Sequence, residues 1–264
     1  MSRRINDYSR PQRSWPSRPR RLAFALRLAL TPLLALPLSA SAQSGIEDLG
    51  AGRYPWAFMA PGVSGDGLVV VGHASDANDA NRRVFRWTNG GDMVDFGTLG
   101  GGLPVVRGIS ADGSVVVGTA YTAGNADWHA FRWTSGGMVD LGTLGGRYSS
   151  AYGVSTDGSV VVGDAWTAGN ATIRAFRWTS AGGMVDLGTL GGSYSSATAV
   201  SADGLVVAGI ARPAGNGALR IFRWTSGSGM VDLGTLDGMN FPYPYFVSAN
   251  GSVVVGGGVP RRLC

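Results

Sequence analysis

The string Phe-Arg-Trp-Thr occurs four times in this chain, at Phe85, Phe131, Phe176 and Phe222, at steps of 46, 45 and 46 residues. A period of that size describes an array in which one supersecondary unit is copied and each copy hides its apolar face against the next. Two further phrases keep the step. A Met-Val-Asp-(Leu/Phe)-Gly-Thr-Leu phrase starts at Met93, Met138, Met184 and Met230. An Asp-Gly turn before a Val-rich run stands at Asp66, Asp112, Asp157 and Asp203, and Asn250-Gly251 echoes it.

Each unit reads as four strands. In the third copy these are Ala151 to Ser155, Ser159 to Ala165, Ala175 to Thr179 and Met184 to Leu190, with no sustained helical period. The Ser155-Thr156-Asp157-Gly158 turn carries Asp and Gly where a type I turn with a bulge needs them. Placing Thr134 opposite Met138 predicts Arg132 opposite Asp140 and Phe131 opposite Leu141. The same pairing sets Arg86 against Asp95, Arg177 against Asp186 and Arg223 against Asp232, as repeated cross-strand ion pairs. Four antiparallel strands in about 46 residues predict a β-propeller blade, with a parallel β-solenoid as the rival fold. Runs such as Val115-Val116-Val117 lack in/out alternation, which suits a strand covered on both faces. Ile46 to Gly50 matches a fourth strand, and the chain closes on a first and a second strand. The expectation is four complete blades plus a split, incomplete fifth, either a defective ring able to self-associate or a fragment of a longer array.

Residues 1–42 differ from the rest. Eight arginines, an apolar stretch from Leu22 to Leu38 broken by Arg27, Thr31, Pro32 and Pro37, and Ala40-Ser41-Ala42 read as a secretory signal peptide. The domain division is therefore 1–42 leader, 43–258 repeat domain and 259–264 non-repeat tail. Without the leader, 14 arginines stand against 16 acidic residues, so the basic balance of the whole chain predicts no nucleic-acid partner. The only Cys is Cys264, so core packing rather than an internal disulfide must hold the domain. No membrane span is expected after leader removal.

Trp128-His129-Ala130-Phe131-Arg132-Trp133, Asp-Leu-Gly-Thr-Leu-Gly-Gly at 140–146 and 186–192, and Ser-Ala-Asp-Gly-Ser-Val-Val-Val-Gly at 110–118 carry a resemblance. The chain resembles the HAF family of bacterial extracellular repeats over nearly all of 46–256. That resemblance implies export and, in some members, a passenger segment joined to an outer-membrane barrel. It implies no reaction. Only one unit spells His-Ala-Phe; the others have Arg83, Arg174 and Arg220 at the first position, which argues against a catalytic His129.

Catalytic constellations are sparse: His73 and His129 are the only histidines and Glu47 the only glutamate. No metal site, cofactor or catalytic residue is expected. Each Asp-Gly turn offers one carboxylate, too few for calcium, so turn chemistry accounts for it. The expected topology gathers the longer loops on one face. The candidate ligand face comprises Tyr54, Tyr121, Asn125, Trp128, Tyr148, Trp166, Asn170, Tyr194 and Tyr243, residue types that recur in recognition surfaces. The leading expectation is an exported, non-enzymatic binding module for a glycan or a protein. The alternative is a sugar-active propeller hydrolase or lyase built on two of Asp76, Asp79, Asp127, Asp164 and Asp237.

Overall fold

A computed structural model describes residues 56–75, 83–88, 93–235 and 239–260. The expected leader, the Ile46-to-Gly50 phrase and Tyr54 lie outside them. Four successive four-stranded antiparallel units repeat one plan, the third and fourth joined into one eight-stranded sheet by a single parallel bridge between Ile173 and Tyr194. The first contains β1 (Trp56–Val63), β2 (Val69–Ser75), β3 (Arg83–Thr88) and β4 (Val94–Asp95). The second contains β5 (Val105–Ile109), β6 (Val116–Tyr121), β7 (Trp128–Thr134) and β8 (Gly137–Asp140). The third contains β9 (Gly145–Val154), β10 (Val160–Thr167), β11 (Ile173–Thr179) and β12 (Gly183–Asp186). The fourth contains β13 (Gly191–Val200), β14 (Val207–Pro213), β15 (Arg220–Thr225) and β16 (Gly229–Gly234). A final pair, β17 (Met239–Val247) and β18 (Val254–Pro260), makes half a fifth blade. Antiparallel pairing within every unit excludes the solenoid. Among the described residues, no helix is long and apolar enough to cross a membrane.

The apolar clusters lie between blades. Val115, Val117 and Leu141 of the second blade pack with Ala151, Val161 and Phe176 of the third. Val160, Val162 and Leu187 of the third pack likewise with Ala197, Val207 and Phe222 of the fourth. Val116, Val117, Val161 and Val162 are fully buried, as a strand covered on both faces requires. Gly163, in the middle of β10, is there because a Cβ would run into the Ser150 carbonyl and the Phe176 ring.

Three repeated polar links join the blades. Turn backbones form a chain: Gly65 donates to Ala111, Ala111 to Thr156, Thr156 to Ala202 and Ala202 to Ala249, at 2.7 to 3.0 Å. In the third turn, Asp157 Oδ1 accepts from the Ser155 and Ser159 hydroxyls at 2.6 and 2.8 Å, so its carboxylate serves the turn. Gly158 holds φ +71 while its Cα faces Val115, a place that no side chain can occupy. Buried serines supply the second link: Ser149 Oγ accepts from Ala130 N at 2.8 Å and donates to the Gly142 carbonyl at 2.6 Å.

The third link corrects the expected hairpin register. Phe131 pairs with Asp140, Arg132 with Val139, Trp133 with Met138 and Thr134 with Gly137, one residue away from the prediction. Asp95, Asp186 and Asp232 likewise face Phe85, Phe176 and Phe222 rather than Arg86, Arg177 and Arg223. The cause is the turn. In the second blade Gly137, at φ +114, closes the hairpin and leaves only Ser135 and Gly136 in the loop. The freed arginines reach across to the next blade, where Nε of Arg132, Arg177 and Arg223 donates to the carbonyls of Gly158, Gly204 and Gly251 at 3.1 to 3.3 Å. The aspartates pair instead with the residue two before each Phe: Arg83 to Asp95 at 3.7 Å, His129 to Asp140 at 2.7 Å and Arg220 to Asp232 at 3.2 Å. His129 thus stands where the other three units have an arginine, Arg83, Arg174 and Arg220.

The first strands of the third and fourth blades are also longer than expected. β9 begins at Gly145, six residues before Ala151. Its Gly-Ser-rich stretch forms strand because the buried serine hydroxyls satisfy backbone groups of the neighbouring blade.

Candidate functional site

The inner strands converge. Pro61 of β1, Arg107 of β5, Tyr152 of β9, Thr198 of β13 and Tyr243, Pro244 and Phe246 of β17 line one central cleft of about 380 Å³, with His73 of β2. Pro61, Arg107, Tyr152 and Thr198 each stand three residues before the turn serine, so one register position per blade faces this cleft. A second cleft of about 360 Å³ opens beside it, lined by Leu103, Val105, Arg107, Thr119, Ala120, Tyr121, Trp128 and Ser150. Val105 and Arg107 belong to both.

Aromatic rings wall the second cleft. Trp128 of β7 stacks on Tyr148 of β9 at 3.9 Å with 17° between the planes, across the second and third blades. Tyr121 meets Trp128 edge-on at 6.1 Å, and Tyr148 meets Trp166 likewise. Four of the expected face residues therefore form one seam, and their mutual packing covers much of their ring area. Trp128 keeps 36% of its surface exposed. Arg147 flanks the seam, its Nε on Asp127 Oδ1 at 2.6 Å and its guanidinium 5.6 Å from the Tyr148 ring centre.

The other expected residues stand apart from this seam. Asn125 and Asn170 hold φ of +55 and +56 in tight turns, and their side-chain oxygens accept from Gly102 N and Arg147 N at 2.7 and 2.8 Å. They shape the loop edge with those oxygens. Tyr148, Tyr194 and Tyr243 lie within inner strands, not in the blade-to-blade loops the sequence assigned them to, because those strands start early. Tyr243 is 41% exposed on the central cleft, whereas Tyr194 is half-buried.

Sequence reasoning missed four residues. Leu103 sits at the rim with φ +51, a backbone region that favours Gly, and stays 39% exposed. The buried Thr119 hydroxyl has no hydrogen-bond partner among the described residues. Ser150 lines the second cleft. Arg107 lies 5.0 Å over the Tyr152 ring. The available signal was variation inside the repeat: the position after the central Gly of each second strand is His73, Thr119, Asp164, Ile210 or Gly257.

Asp164 of β10 interacts electrostatically with Tyr152. Burial raises its carboxyl to about 6, although hydrogen bonds from Ser196 and Tyr152 and the charge of Arg107 oppose the rise. Burial likewise pushes the phenols of Tyr152 and Tyr194 above their usual range, with the Asp164 charge adding to it. Among the described residues, no three His, Cys, Asp or Glu side chains cluster as metal ligands would.

No protein-family model and no curated protein matches the sequence. Among solved structures, TolB from Acinetobacter baumannii aligns with TM-score 0.51 at 21% identity, over 75% of this chain and 48% of that one. A putative TolB from Agrobacterium tumefaciens gives 0.52 at 20%, over 76% and 70%. The chain is a β-propeller. It spans about half the length of the Acinetobacter protein. Puromycin hydrolase aligns at 0.51 with 16% identity, over 77% of this chain and 34% of the hydrolase. Such low identities speak for the propeller fold alone.

Proposed function

We propose that this propeller is an exported, non-enzymatic binding module of the HAF-repeat type whose ligand enters the aromatic-walled cleft between the second and third blades. The observation that carries the reading is the buried Thr119 hydroxyl, which has no hydrogen-bond partner among the described residues and stands in the wall of a cleft that also presents Trp128, Tyr121, Leu103 and Arg107. A buried hydroxyl without a partner costs about 1–3 kcal/mol, and a ligand acceptor would remove that cost. A cleft of about 360 Å³ with rings on one side and a few convergent polar groups has the make-up of a ligand site. The leader-like segment and the resemblance support export. Glycan and protein arrays test the reading with the wild type and with Trp128→Ala and Thr119→Val. Ligands retained by the wild type and weakened about tenfold or more by both substitutions support it; retention that neither substitution changes would overturn it.

Asp164 favours a second reading as a hydrolase, because a buried carboxyl raised to about 6 suits a general acid. It needs a second carboxylate. Asp127 is held by Arg147, and Asp76, Asp79 and Asp237 lie outside the described residues. Oligosaccharide cleavage abolished by Asp164→Asn would establish this reading against the first.

A further inference from the structure

Arg107 differs from the other arginines of the described blades. Arg83, Arg147 and Arg220 pair with aspartates, and Arg86, Arg132, Arg177, Arg212 and Arg223 donate to backbone carbonyls. Arg174 donates to Thr172. Arg107 makes no ion pair and no hydrogen bond among the described residues; it is exposed, and the Tyr152 ring fixes its orientation from one side. Asp164 acts on its charge but forms no ion pair with it, and burial pushes the Asp164 carboxyl up to about 6.

The guanidinium also stands where the two clefts meet. Among the described residues, it is the one Arg, Asp or Glu lining either of them, with His73 beside it in the central cleft. On the central side, Phe246 is 70% exposed and Tyr243 41%, with Pro61, Val105 and Pro244 around them. A planar donor fork in a wall otherwise made of rings, prolines and hydroxyls matches a carboxylate that is bonded directly to an apolar body. A saccharide would ask for more hydrogen-bonding groups than this apolar side offers. The C-terminal end of an extended peptide offers both the carboxylate and a final apolar side chain.

We propose that Arg107 receives the free C-terminal carboxylate of a peptide, with the last apolar side chain seated against Phe246 and Tyr243 in the central cleft. The peptide body would then leave past Thr119 and Trp128, so this assignment rests on the binding reading above and names its ligand class.

The test is calorimetric titration of N-acetyl-Leu-Phe, of its C-terminal amide and of trigalacturonate into the wild type, Arg107→Gln, Arg107→Lys and Trp128→Ala. Urea melts check that each variant is folded. The acid is expected to bind about tenfold or more tightly than the amide, as a charge-assisted hydrogen bond allows. Arg107→Gln should erase that difference, and Arg107→Lys should restore part of it. Equal binding of acid and amide, or a difference that survives Arg107→Gln, overturns the proposal. Binding of trigalacturonate without the peptide keeps an anion site and overturns the peptide assignment. Amide binding that depends on Trp128 but not on Arg107 leaves the cleft reading standing while this one fails. Failure of all three probes to bind overturns the peptide proposal without touching the array test.

Discussion

At the scale of single residues, Asp164 sets an unusual pH dependence. A carboxyl that moves from 3.8 in the unfolded chain to about 6 in the folded one binds more protons when folded, so stability falls as pH rises through that interval. The cost at neutral pH is on the order of 3 kcal/mol. Asp164→Asn keeps an acceptor for Ser196 and Tyr152 without the charge. Urea denaturation should therefore show the variant more stable than the wild type at pH 7.5 and nearly equal at pH 4; a variant that is weaker at both values would refute this account. The turn carboxylates oppose this trend at the acid end. Asp112 is held down to about 2, first by the Ser110 hydroxyl and then by Ser114, so its contribution is lost as pH falls from 3.8 towards 2. Gly163 presents a different constraint. Gly163→Ala should cost about 2–3 kcal/mol, since the new methyl meets the Ser150 carbonyl and the Phe176 ring. Gly136→Ala, whose Cβ would sit 3.6 Å from Thr134 Oγ1, should change stability by less than about 0.5 kcal/mol. Equal losses would disprove the close-approach argument.

At the scale of strands, the hairpin shows what the sequence could and could not carry. The Asp, Phe and Arg/His positions were all visible, yet Ser135-Gly136-Gly137 admits either a two-residue or a three-residue loop. Which glycine takes positive φ depends on the twist of the flanking strands, and a slip by one residue exchanges every partner. The register found here couples His129 with Asp140 and leaves Arg132 to the next blade. The hydrogen bond that protonated His129 donates from Nδ1 to Asp140 raises the His129 pKa, so the pair's contribution is complete below the ordinary histidine range and declines as pH rises through the raised value. With Asp140 41% exposed, a double-mutant cycle should give about 0.5–1 kcal/mol of His129–Asp140 coupling at pH 5.5 and a smaller value once the ring is neutral at higher pH. Coupling between Arg132 and Asp140 instead would restore the expected register. The inner strands were under-read for another reason. Gly145-Gly146-Arg147-Tyr148-Ser149-Ser150 lacks β-branched residues, and it becomes strand only because Ser149 bonds backbone groups that belong to other segments.

At the scale of the whole molecule, the period disclosed the array and the strand count, whereas the central cleft arises only when five inner strands meet and the second only where two blades adjoin. Arg107 and Thr119 looked ordinary because neither sits in a repeated phrase, and curvature alone brings Arg107 next to Tyr152 and Thr198. The same geometry predicts uneven stability. Each blade is held by the apolar layer, the turn backbone chain and the arginine link that it shares with its neighbours, so its resistance to opening depends on how many neighbours it has. β10 is flanked on both sides, with Val161 and Val162 fully buried; β18 leaves Val255 54% exposed, and Val253 just before it is 53% exposed. Among the described residues, β18 pairs with β17 alone. Native-state hydrogen exchange in low concentrations of denaturant should show the amides of Val161 and Gly163 opening only through global unfolding, with a steep denaturant dependence. The amides of Val254 and Gly256 should exchange through local opening, at lower free energy and with almost no dependence. A common free energy and slope for both sets would mean that the half blade is locked into the ring as firmly as a complete one, and that nearest-neighbour burial does not set the stability of this propeller.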